Sequence, residues 1–233
     1  VDKEPSKART LIKLDKRLVE TPVVAIEQSR REVIRMGEVV GSMMNTLKEI
    51  VSGTTENRKE KIETLFNQEE YLDRMQQELV VFLTALLSQE LISKIAKETQ
   101  EQIKRADEYE SASDYVVVIL KLLLRLENAK TTLDEEEVKD ILELHDSVYE
   151  YYEFIFKAFC DDKPGIIVAA RSRGEAITHQ FRQMRSRHLS KLSERNLDPL
   201  ICTVYPDILS GYRRMKEHLL TSAEAEMDDK EEL

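Results

Sequence analysis

Glu108-Tyr109-Glu110-Ser111-Ala112-Ser113-Asp114-Tyr115-Val116-Val117-Val118 lies inside a long helical pattern. Steps of three and four residues trace an inward seam through Ile92, Ile95, Thr99, Ile103, Ala106, Glu110, Ser113, Val117, Leu120 and Leu124. Its ends are aliphatic, and its middle is a carboxylate flanked by small residues. Asp114 follows Glu110 by one turn and points about 40° away from it at 100° per residue. A charge on a buried face is costly unless something pairs with it. Serine and alanine beside it leave room for a ligand.

Outward from this stretch the chain repeats the same kind of pattern. The 233 residues include only 6 Gly and 5 Pro, and 34% are charged, so long amphipathic helices are rarely interrupted. Thr21-Pro22 opens a first helix that runs to about residue 52. Asn57 with Glu60 predicts a cap for a second over 58–87. The third covers 90–128. Asp134 with Glu137 caps a fourth over 135–161. Pro164 and Asp198-Pro199 restart the chain for a fifth to about 194 and a sixth to about 226, with a bend expected at Pro206. Helices two and three overlay helices five and six when shifted by about 102 residues, a repeated three-helix unit. The expected fold is therefore all-α, two tandem three-helix bundles. Residues 1–20 form a linker, 21–130 the first unit, 131–227 the second and 228–233 an acidic tail.

The formal net charge of −10 argues against nucleic acid, whose phosphates demand positive patches. It also argues against adsorption to an anionic membrane by charge alone. The longest apolar run, 116–126, is too short to span a bilayer and contains Lys121 and Arg125. The chain starts at Val1, without Met, and reads as a fragment of a longer protein. Cys160 and Cys202, in apolar helical context, read as reduced core thiols. His145 and His188 fall on seams and read as core histidines, while His179 and His218 have no partner that spacing identifies. The run Arg171, Arg173, Arg182, Arg185, Arg187, Lys191 and Arg195 is the one basic zone, read as a solvated face laced with ion pairs. No nucleophile with its base and no phosphate loop is recognisable, so the expectation is a non-enzyme.

Helix two carries a second acidic pair, Glu69 and Asp73. An antiparallel hairpin folded near residue 89 sets position 69 opposite 109, so four carboxylates would share one level: Glu69, Asp73, Glu110 and Asp114. Such a group repels itself unless a cation joins it, and oxygen ligands suit Mg, Mn, Ca, Fe or Zn. The competing reading pairs them with Lys104, Arg105 or Arg74 on a solvated flank. In the second unit the matching positions are Arg171/Glu175 and Arg213/Glu217. An arginine in place of each first acid predicts surface ion pairs one turn apart and no metal there.

These acidic pairs carry a family likeness. The block Asp107-Glu-Tyr-Glu-Ser-Ala-Ser-Asp114-Tyr resembles the acidic motif of the PhoU family, matching at Glu110 and Asp114 without the usual Arg-Ile-Gly between them. Tyr212-Arg-Arg-Met-Lys-Glu-His218 matches more loosely, with Arg213 in place of the first acid. The opening Leu14-Asp-Lys-Arg-Leu-Val-Glu-Thr-Pro22-Val-Val-Ala-Ile26 is similar to the segment that joins transporter to C-terminal PhoU-like domain in bacterial sodium/phosphate cotransporters. The resemblance implies a metal-binding regulatory domain that controls phosphate transport. It also implies a place on the cytoplasmic side of the inner membrane, beside the transmembrane transporter portion of the same chain. A homodimer is a further expected partner. The alternatives are a free-standing PhoU-type regulator acting on a transporter and a sensor kinase, and a carboxylate-bridged metalloenzyme. The absence of a Glu-x-x-His pair argues against the last.

Overall fold

The computed structural model describes residues 20–53, 56–194 and 198–225. The linker (except Glu20), the acidic tail and Arg195 lie outside the described residues, as do residues 14–19 of the Leu14–Ile26 junction. Six helices make up the fold, with no strand among the described residues: α1 Pro22–Val51, α2 Arg58–Leu87, α3 Ser93–Asn128, α4 Glu135–Cys160, α5 Ile167–Glu194 and α6 Pro199–Glu224. The expected all-α bundle is the one observed.

Helix starts follow their capping chemistry unevenly. At α4 the capping box is complete: Asp134 accepts from the Glu137 N–H at 2.8 Å, and Glu137 Oε2 accepts from the Asp134 N–H at 3.0 Å. At α6 the Asp198 side chain accepts from the Leu200 N–H. At α1 proline occupies the first turn and Thr21 makes no side-chain cap. Asn57 likewise caps nothing, so the capping expected for α2 is corrected. Helix α6 continues through Pro206. Asp162 and Gly165, both at positive φ, turn the chain between α4 and α5.

Helices α1, α2 and α3 pack on one another, as do α4, α5 and α6. The two sets are joined by α3 against α6, the most extensive pairing, and by α1 against α4. α2 touches only α1 and α3, and α5 only α4 and α6. The antiparallel run of neighbours puts α2, α3, α6 and α5 side by side, with α1 and α4 behind them. A single apolar core runs through both sets, from Val33, Met36 and Leu47 on α1 to Leu209, Met215 and Leu219 on α6.

The α1–α4 contact is close because glycines make it so. A Cβ at Gly37 would run into the Phe156 ring, and one at Gly41 would meet the Tyr152 hydroxyl at 2.7 Å. That hydroxyl donates to the Gly37 carbonyl at 2.8 Å. Tyr152 and Phe156 stack on each other at 5.4 Å between ring centres, so the aromatic wall is fixed from both sides.

Candidate functional site

Helix α3 packs against α1, α2 and α6, so it buries a wider arc than one seam. Gln102, Arg105, Tyr109, Ala112, Val116 and Ile119 are buried alongside Ala106, Ser113, Val117 and Leu120. The centre of that arc is displaced by about one residue from the expected line. Glu110 is therefore half-buried at its edge, Asp114 is exposed, and Ile92 is a surface residue. Glu69 and Asp73 are half-buried on α2.

The register between α2 and α3 also differs from the expected one. Gln76 Nε2 donates to Asp107 Oδ1 at 2.6 Å. Counting outward from this contact in antiparallel sense sets Asp73 level with Glu110 and Glu69 level with Asp114. The hairpin turns later than residue 89 because 88–92 form the link and α3 begins only at Ser93. The four carboxylates still share one stretch of the α2–α3 groove, paired crosswise.

Their electrostatics show the crowding. Burial, then the charge of Asp114, raises the carboxyl pKa of Glu69 above its ordinary value. Burial and Asp114 do the same to Glu110, with Asp73 and Asp107 adding to the rise. Burial and Asp73 raise Asp114, against the opposing charges of Lys121 and His218. The two arginines expected to neutralise them are turned elsewhere, and Lys104 is exposed. Arg105 is buried with its guanidinium 4.0 Å from the centre of the Phe159 ring, and Arg74 turns back to the Glu70 carbonyl. Gln77 donates to Asp73 at 2.8 Å and Ser111 to Glu110 at 3.3 Å.

Oxygen-rich, mutually repelling carboxyls are the donor set a hard cation takes. Among the described residues, however, no three His, Cys, Asp or Glu side chains stand close enough together to hold one as placed. A cation here requires new rotamers at Glu69, Asp73, Glu110 or Asp114. Asp114, the exposed one of the four, is free to turn.

One residue beside the groove was not identifiable from spacing. His218 of α6 reaches across to α3, with Nδ1 2.7 Å from Glu108 Oε2 and its ring stacked on Tyr115 at 5.5 Å. It brings the second unit to the edge of the acidic groove. Only the α3–α6 pairing, which local sequence does not encode, places it there.

The matching groove of the second unit is built from ion pairs. Arg213 donates to Glu217 at 2.8 Å one turn on, as expected, and Arg214 joins the same carboxylate at 3.2 Å. Arg171 does not pair with Glu175. It reaches Glu224 on α6 at 3.0 Å instead, because the neighbouring helix offers a carboxylate at its level. Much of the basic run is similarly satisfied: Arg187 on Asp140, Lys191 on Asp134 and Glu136, Arg173 over the Phe154 ring. His145 is a core histidine as expected, with Nδ1 3.1 Å from the Tyr212 hydroxyl and Nε2 buried without a partner, and burial brings its pKa down to about 4. Cys160 and Cys202 are unpaired and only partly buried.

Fold and groove together define the class: a six-helix bundle with an acidic groove between α2 and α3 and ion pairs along α5 and α6. The chain is similar to a Salmonella typhimurium protein, YjbB, described provisionally as an inorganic phosphate export protein. The two are 25% identical over 192 residues, which cover 80% of this chain and 34% of that protein. The chain thus spans about a third of the curated relative it matches. No protein-family model matches it. No helix among the described residues is long and apolar enough to cross a membrane.

Proposed function

We propose that this chain is a PhoU-like regulatory domain of a phosphate-transporting membrane protein. It handles no substrate chemistry itself and adjusts transport by a different part of the same protein. The observation that carries this reading is the likeness to YjbB, which runs over four-fifths of this chain but only a third of that protein. A bundle that matches one part of a larger phosphate protein fits an appended control module. The acidic PhoU-type motif at Glu110 and Asp114 supports the same reading, as does its position on an open groove. A sodium-coupled symporter is the specific transporter proposed, from the resemblance of residues 14–26. The domain then sits on the cytoplasmic face of the inner membrane.

The groove supplies the proposed input. Glu69, Asp73, Glu110 and Asp114 together would hold a divalent or trivalent cation, whose charge relieves the repulsion that raises their pKa values. Binding pulls α2 toward α3. Because His218 ties α3 to α6 at the groove's edge, that movement is transmitted to the second unit.

The test is an in-frame deletion of the codons for residues 21–226 in the full-length gene, followed by radiolabelled phosphate flux in cells. The proposal expects flux to persist and to lose its response to external phosphate. Flux and response both unchanged would refute a regulatory role.

A further inference from the structure

We propose that Glu137 and His188 form a buried one-proton latch that fastens the first turn of α4, where the chain passes from one unit to the other, onto α5. The latch stands on geometry that the phosphate reading does not use.

Glu137 and His188 are 3% and 2% exposed. Glu137 Oε1 and His188 Nδ1 lie 3.5 Å apart, too far for a formed hydrogen bond. Neither atom has another partner, nor does His188 Nε2. No space for a water molecule remains among the surrounding side chains. Three buried polar atoms without partners meet at one dry point, which in a native core calls for a specific explanation.

The neighbours of the pair are already matched. From α4, Asp134 and Glu136 bind Lys191, and Asp140 takes both Arg187 and the Tyr205 hydroxyl. From α6, Tyr205 also lays its ring 4.7 Å from that of His188. Arg187 and Lys191 of α5 are thus committed to other carboxylates. Without an added proton the pair carries one net negative charge in a place shielded from water. With one proton shared between Oε1 and Nδ1 it carries none. Burial favours the second state. The raised carboxyl pKa of Glu137, caused first by burial, agrees.

The mechanical consequence lies in the other oxygen of Glu137. Oε2 holds the Asp134 N–H and closes the capping box. Asp134 ends the link from α3, in which Thr131 donates to Asp198 at 3.1 Å. Proton uptake draws Glu137 and His188 together and steadies this joint. Proton loss restores the buried charge and loosens it. The folded state binds the proton more tightly than the unfolded chain, so the stabilisation is present at lower pH and lost as pH rises.

Solution NMR of the 233-residue chain tests the latch, with hydrogen exchange at the Glu137 and Val138 amides. On acidification from about pH 8 to about pH 5.5, across the histidine range, the His188 ring nitrogens and the Glu137 carboxyl carbon are expected to shift together with one midpoint. Exchange at the two amides, corrected for its intrinsic pH dependence, is expected to slow by about fivefold, equivalent to about 1 kcal/mol. Glu137→Gln and, separately, His188→Gln are expected to remove that pH dependence. Separate midpoints for the two side chains would overturn the proposal. So would the same pH dependence of exchange in wild type and in either folded variant. The joint titration in wild type decides the matter if neither variant folds.

Discussion

His218 Nδ1 and Glu108 Oε2 stand 2.7 Å apart across the α3–α6 interface, 110 residues distant in sequence. The contact joins the second unit to the rim of the acidic groove in the first, and Tyr115 stacks on the imidazole to hold it there. Both partners are part-buried, so the pair is worth more than a free surface ion pair and less than a buried one. His218→Ala is expected to cost about 1 kcal/mol, roughly 2–4 °C in Tm for a domain of this size. Glu108→Gln, which keeps an acceptor, should cost less. A thermal melt of the two variants and their double mutant checks this. The pair is established if the double mutant loses less than the sum of the singles.

The α1–α4 seam should not tolerate a methyl group. Gly41→Ala places a carbon 2.7 Å from a tyrosine hydroxyl that is itself tied to Gly37. Gly37→Ala meets a stacked phenylalanine. Each is expected to destabilise by about 1–3 kcal/mol through overpacking. Gly53→Ala meets no nearby atom but sits at φ 69°, so its cost is backbone strain of about 1 kcal/mol. Urea denaturation checks all three, each of which should shift the midpoint and leave the slope unchanged.

The helices were legible because their limits are written locally, in Pro22, Asp134 with Glu137, and Asp198 before Pro199. The acidic groove was legible as a grouping, since two acidic pairs one turn long stand at related levels of one hairpin. Its details were not. Periodicity sets Glu110 on the seam because a single seam describes a helix with one neighbour, whereas α3 has three. The crosswise pairing of Glu69 with Asp114 depends on where a five-residue link turns, which no periodicity records. Gly37 and Gly41 are not legible in the sequence, because a glycine adds nothing to an apolar pattern and only the partner helix gives it meaning. Sequence shows the i,i+4 neighbour of Arg171 and hides Glu224, its partner across the helix interface.

The raised carboxyl pKa values of Glu69, Glu110 and Asp114 fix the sign of a pH effect. A carboxyl whose pKa is higher in the folded state disfavours folding when ionised and ceases to do so once protonated. In chelator-treated protein, Glu110→Gln should therefore melt higher than wild type at pH 7. The difference should shrink as pH falls through the carboxyl range and vanish when both proteins are uncharged there. A melt series from pH 7 down to about pH 4 gives the result. A variant that melts lower than wild type at pH 7 would show that the groove is not under repulsive strain.

The most direct test of the proposed input adds Mn²⁺ to chelator-treated wild type and Glu110→Gln and follows both melts. At a hundredfold excess over Kd, binding to the folded state contributes about 2.7 kcal/mol. For a chain of this length that raises Tm by roughly 5–10 °C. The account predicts this shift in wild type and the loss of most of it in Glu110→Gln. Equal, small shifts in the two proteins would contradict it, leaving four carboxylates on an open groove and no cation site among them.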